Sequence, residues 1–320
     1  MSGRHSHTHE RIAPPPSGEQ FEIALGEQRA TIVEVGGGVR EYAVAGRDVL
    51  DPYPVEAICD GAHGAPLIPW PNRLADGRYR FDGVDHQLAL SEPERHNAIH
   101  GLLRWRPWRV LERRAEAVTV GARLHPTPGY PFALDVRIAY VLGEGGLSVS
   151  TTAANVGAEA CPYGCGQHPY LSAGTGTIDA CLLELPAHTR LLTDERKLPS
   201  GREPVSGTCF DFRSVRGVGE QKLDDAFGDL ERDSGGRVTT RLTAPDGACV
   251  ELWVDGSYSM LELYSGDDLH RSRRRRGLAV EPMSCPPNAL QSGEDLIRLE
   301  PGAVHTTSWG VRLRPAADRP

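Results

Sequence analysis

An all-β protein, a large antiparallel β-sandwich, is the fold class this sequence predicts, on three observations. Short runs of alternating apolar and polar residues recur along the chain, and alternation is the mark of strands with one buried face. Stretches with a helical period of useful length are scarce. The 36 glycines and 25 prolines fall mainly between the runs, and DG or GG pairs at 76–77, 82–83, 144–146, 235–236, 246–247 and 255–256 supply tight turns.

Taken in order, residues 1–18 are polar and proline-rich and read as a flexible tail. HSHTH at 5–9 has the composition of a metal tract, but in such a tail it reads as adventitious. GAPLIPWPNRLADGRYRFDG at 64–83 couples an apolar run to prolines that forbid a central strand, then presents Asn72 and Arg73 ahead of a hairpin. The runs VTVGARL (118–124), LDVRIAYVL (134–142), GLSVSTTAANVG (146–157), ACVELWV (248–254) and HTTSWGVRL (305–313) read as strands. The loop at 266–276, which carries HRSRRRRG at 270–277, is charged and lacks apolar anchors. It reads as solvated and mobile, with a phosphate-binding patch as the sharper alternative. No repeat and no second boundary interrupts the chain, so residues 19–315 are expected to form a single domain.

Composition narrows the function classes. A net charge of −8 disfavours nonspecific nucleic-acid binding, and no apolar run is long enough to span a bilayer. The N-terminus lacks the apolar centre of a secretory signal, so a cytoplasmic location is expected. Seven cysteines without a CxxC pair argue against a disulfide framework and against a zinc ribbon; reduced, mostly buried thiols are expected.

Two segments carry the chemistry. GCGQHPY at 164–170 has glycines that allow close backbone approach and Pro169, which stiffens the chain just after His168. In LAVEPMSCPPNAL at 278–290 a buried-type run leads into Glu281, and a carboxylate so placed needs a partner or a task. A protonated imidazole and an ionised carboxylate on opposite sides of a small polar molecule can move two protons at neutral pH with no metal and no cofactor. Around this pair, Arg73 stands at the end of a rigid turn, where its planar fork suits sugar hydroxyls or an oxyanion, with an ordinary ion pair as the alternative. HNAIHGLLRWRPW supplies His96, Asn97 and His100, of which His100, before a glycine, is the better candidate. Trp105 and Trp108 are expected in the core. KLDDAFGDL at 222–230 places Asp224 and Asp225 so that at least one carboxylate faces a partly enclosed site.

The ordered series LIPWPNR, NAIHGLLR, GYPF, GCGQHPY, LDDAF and AVEPMSCPPNAL resembles the aldose 1-epimerase family, also called galactose mutarotases, from about residue 20 to about residue 313. The resemblance implies a galactose mutarotase-like supersandwich with a sugar on its concave face. It implies His168 as general acid, Glu281 as general base, and Arg73, His100 and Asp224 as substrate binders, with Asn72 beside them and Asp225 the alternative to Asp224. The implied reaction interconverts the α and β anomers of an aldose such as glucose or galactose, in a monomer or homodimer, with no cofactor and no metal. Three other functions use similar parts: a glycoside hydrolase with Asp224 and Glu281, a hexose-6-phosphate epimerase using Arg73, Arg78, Arg95 or the 271–276 block, and a non-catalytic sugar-binding protein.

Overall fold

In a computed structural model, which describes residues 14–172, 174 and 176–316, nearly half of the chain is strand and 3% is helix. The strands form two large antiparallel sheets of 12 and nine strands and three two-stranded ribbons. The five runs read as strands are Ala117–Leu124, Leu134–Gly143, Gly146–Asn155, Cys249–Val254 and Val304–Arg314, and all five lie in the nine-stranded sheet. Leu134–Gly143 shows why: Leu134, Val136, Ile138, Tyr140 and Leu142 are buried in strict alternation, and they meet Ile23, Ile32, Val280, Leu261 and Leu263 of the larger sheet in one apolar cluster.

The larger sheet positions the site. Its middle runs through Tyr170–Leu171, Leu278–Met283, Met260–Tyr264 and Asp224–Leu230 as successive neighbours. Direct partners in an antiparallel pair share a face, so the register Glu262↔Glu281 and Asp224↔Tyr264 puts Asp224, Glu262, Tyr264 and Glu281 on one side. The opposite side carries Leu261, Leu263, Val280 and Phe227 into the core.

Three expectations change. The arginine block is anchored rather than solvated: Arg275 is buried, bonded to Asp179, Asp267 and the carbonyls of Gly219 and Gln221, while Arg273 and Arg276 close on the buried Asp51. Carboxylates and carbonyls brought in by the fold do the anchoring that local apolar residues would otherwise do. Trp108 is buried, but Trp105 is 53% exposed. Finally, the Ser17 carbonyl accepts from Val35 N at 2.9 Å and Ser17 is buried, so packing begins before residue 19. HSHTH lies outside the described residues. No helix is long and apolar enough to cross a membrane.

Candidate active site

The segments singled out in the sequence converge on one open pocket, lined by Asn72, Arg73, His100, His168, Asp224 and Glu281, together with Arg95, Arg104, Tyr264 and Asp268. His168 is delivered by backbone bonds on both flanks: its N donates to Ala65 O and its carbonyl accepts from Gly64 N. Pro169 O accepts from Val280 N, which ties the imidazole to the Glu281 strand. A Cβ on Gly166 would stand 2.8 Å from Pro282 O and 2.9 Å from Pro71 Cβ, so this approach requires glycine. His100 sits at φ 62°, its N donating to Asn72 O at 3.0 Å, and the next residue must be Gly101 because a Cβ there would meet Ile68 O at 2.0 Å. Asn72 thus acts through its backbone on His100 and through Oδ1, which accepts from Arg73 N at 2.8 Å.

His168 Nε2 and Glu281 Oε1 are 3.1 Å apart, both side chains almost wholly buried. They are side by side, not on opposite sides of a guest, because the HPY segment and the Glu281 strand are direct sheet neighbours. Burial pushes the Glu281 carboxyl well above the usual carboxylate range, with Asp224 adding to the shift and Arg73 and Arg104 opposing it. Burial likewise drives the His168 imidazole well below its ordinary value, helped by the positive charge of Arg104 and by His63. The resting pair is therefore a neutral imidazole and a carboxylic acid sharing one proton, rather than an imidazolium and a carboxylate. Nδ1 of His168 and Oε2 of Glu281 are buried without a hydrogen-bond partner, as is Nδ1 of His100, whose ring meets His168 edge-on at 5.4 Å. His100 is held neutral in the same way, by burial first.

Arg73 donates from Nε to Glu92 Oε2 at 3.0 Å and from Nη2 to Glu92 Oε1 at 3.1 Å, leaving Nη1 3.9 Å from Asp224 Oδ1. The ordinary ion pair and the substrate-facing role coexist in this one side chain. Strand alternation decides between the two aspartates: Asp224 lines the pocket, with Lys197 Nζ 3.1 Å away, whereas Asp225 accepts from Arg190 on the other face. His96 is turned outward to Asp76. Sequence reasoning missed Glu262, whose carboxyl is pushed well up by burial and by neighbouring Asp224 and Glu281. It missed Arg104, and also His63, whose ring stacks on Tyr170 at 3.7 Å while Tyr170 stacks on His168 at 5.0 Å. The only signals for these were LELY within a strand and proximity to HG and HPY. As ligand donors, His100, His168 and Glu281 lie within 4.8 Å of one another, a set that could hold a transition-metal ion.

The aldose 1-epimerase family profile matches residues 19–311. The chain belongs to the aldose 1-epimerase family. It is 38% identical over 302 residues, 92% of this chain and 93% of the relative, to the uncharacterized Escherichia coli protein YihR. It is 32% identical over 269 residues, 75% of each chain, to pig galactose mutarotase. Among solved structures, the GalM/aldose epimerase homologue from C. elegans superposes with a TM-score of 0.83 at 18% identity, covering 93% of this chain and 99% of the other. Galactose 1-epimerase from Lactobacillus acidophilus gives 0.77 at 18% identity, covering 93% and 95%. At those identities the structures show a shared fold; the family assignment rests on the profile and the sequence relatives.

Proposed function

We propose that the protein is an aldose 1-epimerase that interconverts the α and β anomers of a hexose by opening and reclosing the hemiacetal ring. The observation that carries this reading is the buried contact of 3.1 Å between His168 Nε2 and Glu281 Oε1 at the pocket floor. The anomeric hydroxyl and the ring oxygen hang on the same carbon, so two groups in contact with each other can address both from one edge of the sugar.

The proton count closes. Transfer of the shared proton from Glu281 to His168 turns the neutral pair into carboxylate and imidazolium. Glu281 then takes the anomeric hydroxyl proton while His168 protonates the ring oxygen, the C–O ring bond breaks, and the free aldehyde forms. The pair is left neutral, the form that burial favours, which offsets part of the cost of ring opening. Rotation next to the carbonyl exposes its other face, and closure runs the two transfers backwards. Arg73, His100 and Asp224 hold the sugar hydroxyls, the neutral imidazole of His100 offering one donor and one acceptor. Each proton-transfer group contributes about 100- to 10,000-fold.

Polarimetric relaxation of freshly dissolved α-D-glucose and α-D-galactose, with and without protein, tests the reading. Acceleration that disappears in both Glu281→Gln and His168→Asn is expected. Unchanged relaxation with the wild-type protein across neutral and charged hexoses would sink it.

A further inference from the structure

We infer that the pocket is shaped for a hexose carrying one negative charge on its exocyclic carbon, C6, and that Arg104 is the residue that reads this charge; the inference rests on the ring-opening reading above. Four arginines lie in or beside the pocket region, and three are already neutralised. Glu92 holds both Arg73 and Arg95, and Arg273 closes on Asp51 and Asp60. Arg104 lines the pocket with no hydrogen bond or ion pair to any described residue, its guanidinium carbon 4.9 Å from the ring centre of the exposed Trp105. A half-enclosed guanidinium with no counter-charge has given up hydration without return, and a planar fork of donors fits an oxyanion two-pronged.

Its position fits C6. The positive charge of Arg104 bears on His168, His100 and Glu281, so the guanidinium stands beside the acid/base pair. On a hexose, C6 is attached to the carbon that carries the ring oxygen, which is the atom His168 serves. Charge balance favours a monoanion: Lys197 is taken by Asp224, and the remaining charged lining group, Asp268, is negative. One free guanidinium opposes one charge, that of a carboxylate or sulfonate, better than the charge of about −2 on a phosphate monoester. The arginines nominated from sequence for a phosphate, Arg73, Arg78, Arg95 and the 271–276 block, include none that is both in the pocket and unpaired.

Anomer exchange followed by NMR for glucose, glucuronate, 6-deoxy-6-sulfoglucose and glucose 6-phosphate, with wild type and Arg104→Met, decides the matter. The expected wild-type result is kcat/KM for at least one monoanion about tenfold or more above glucose, an advantage that shrinks with added salt and collapses in Arg104→Met. The two monoanions separate carboxylate from sulfonate recognition. Glucose turned over as well as the monoanions, or glucose 6-phosphate outranking both, would overturn the inference while leaving ring opening intact. Equal losses for all four sugars in Arg104→Met would also overturn it, assigning Arg104 to the anomeric centre. Exchange of none of the four removes the ring-opening reading and this one with it. Should Arg104→Met not fold, the wild-type ranking and its salt dependence decide alone.

Discussion

Two glutamates stand in mid-strand at nearly equal burial, Glu251 at 3% exposure in the nine-stranded sheet and Glu281 at 2% in the larger one, and their surroundings differ completely. Glu251 accepts from Arg241 Nε at 2.9 Å and from Arg312 Nε at 2.7 Å, and lies 2.8 Å from Arg314 Nε. Burial raises its carboxyl, but the three arginines outweigh burial and hold it below the usual range. Glu281 faces an imidazole and two further carboxylates, Asp224 and Glu262, and is pushed the opposite way. Burial alone therefore says little about a carboxylate. A fully satisfied one is part of the framework, and one left with a buried, unpartnered oxygen is kept available for a guest.

The largest expected contrast is in turnover. Glu281→Gln should lower kcat by about 100- to 10,000-fold, and Glu251→Gln should leave it within about twofold while lowering stability by roughly 1–3 kcal/mol, because three arginines lose their counter-charge. Polarimetry with thermal unfolding reads both; a catalytic loss in the Glu251 variant would break the distinction.

Next in size is the aspartate pair, which applies the same contrast to adjacent residues. Asp224→Asn should reduce kcat/KM by about 10- to 100-fold, the loss of a charged substrate hydrogen bond, with the fold intact. Asp225→Asn should spare kcat/KM and cost stability through Arg190. Reversed phenotypes would mean that strand alternation had been assigned to the wrong face.

The smallest effect is in the pH dependence of stability. Glu251 has a lowered carboxyl in the folded state, so the unfolded chain binds more protons near pH 4.5; its contribution is present above that pH and lost on acidification. Glu281 has a raised carboxyl, so the folded chain binds more protons; its contribution is present below pH 4.5 and lost as pH rises through the raised folded value. Thermal unfolding of the two glutamine variants across pH should therefore give difference curves relative to wild type that slope in opposite directions. Parallel curves would remove the electrostatic basis of the comparison.

Strand periodicity was legible because alternation survives any register: Leu134–Gly143 shows its buried face in the bare sequence. Gly101 and Gly166 were legible as close approaches, and His168 and Glu281 as reactive groups, because their immediate neighbours already constrain them. The arginine block was misread for the converse reason. Its nearest neighbours in sequence are charged and exposed in character, but Asp51 and Asp179 reach it from remote strands and loops. Trp105 and Trp108, three residues apart, could not be separated until the turn after Leu103 sent one outward.

By itself the sequence determined the fold class, the order of the site motifs and the identity of the groups able to move protons, since each depends on local periodicity or on the chemistry of one side chain. Only the tertiary structure decided that Asp224 rather than Asp225 faces the pocket, that His168 and Glu281 touch, that their shared proton rests in an uncharged pair, and that Arg104 alone among the pocket arginines is left without a carboxylate. Those outcomes depend on desolvation and charge pairing, which are set by which distant segments the sheets bring within a few ångströms of one another.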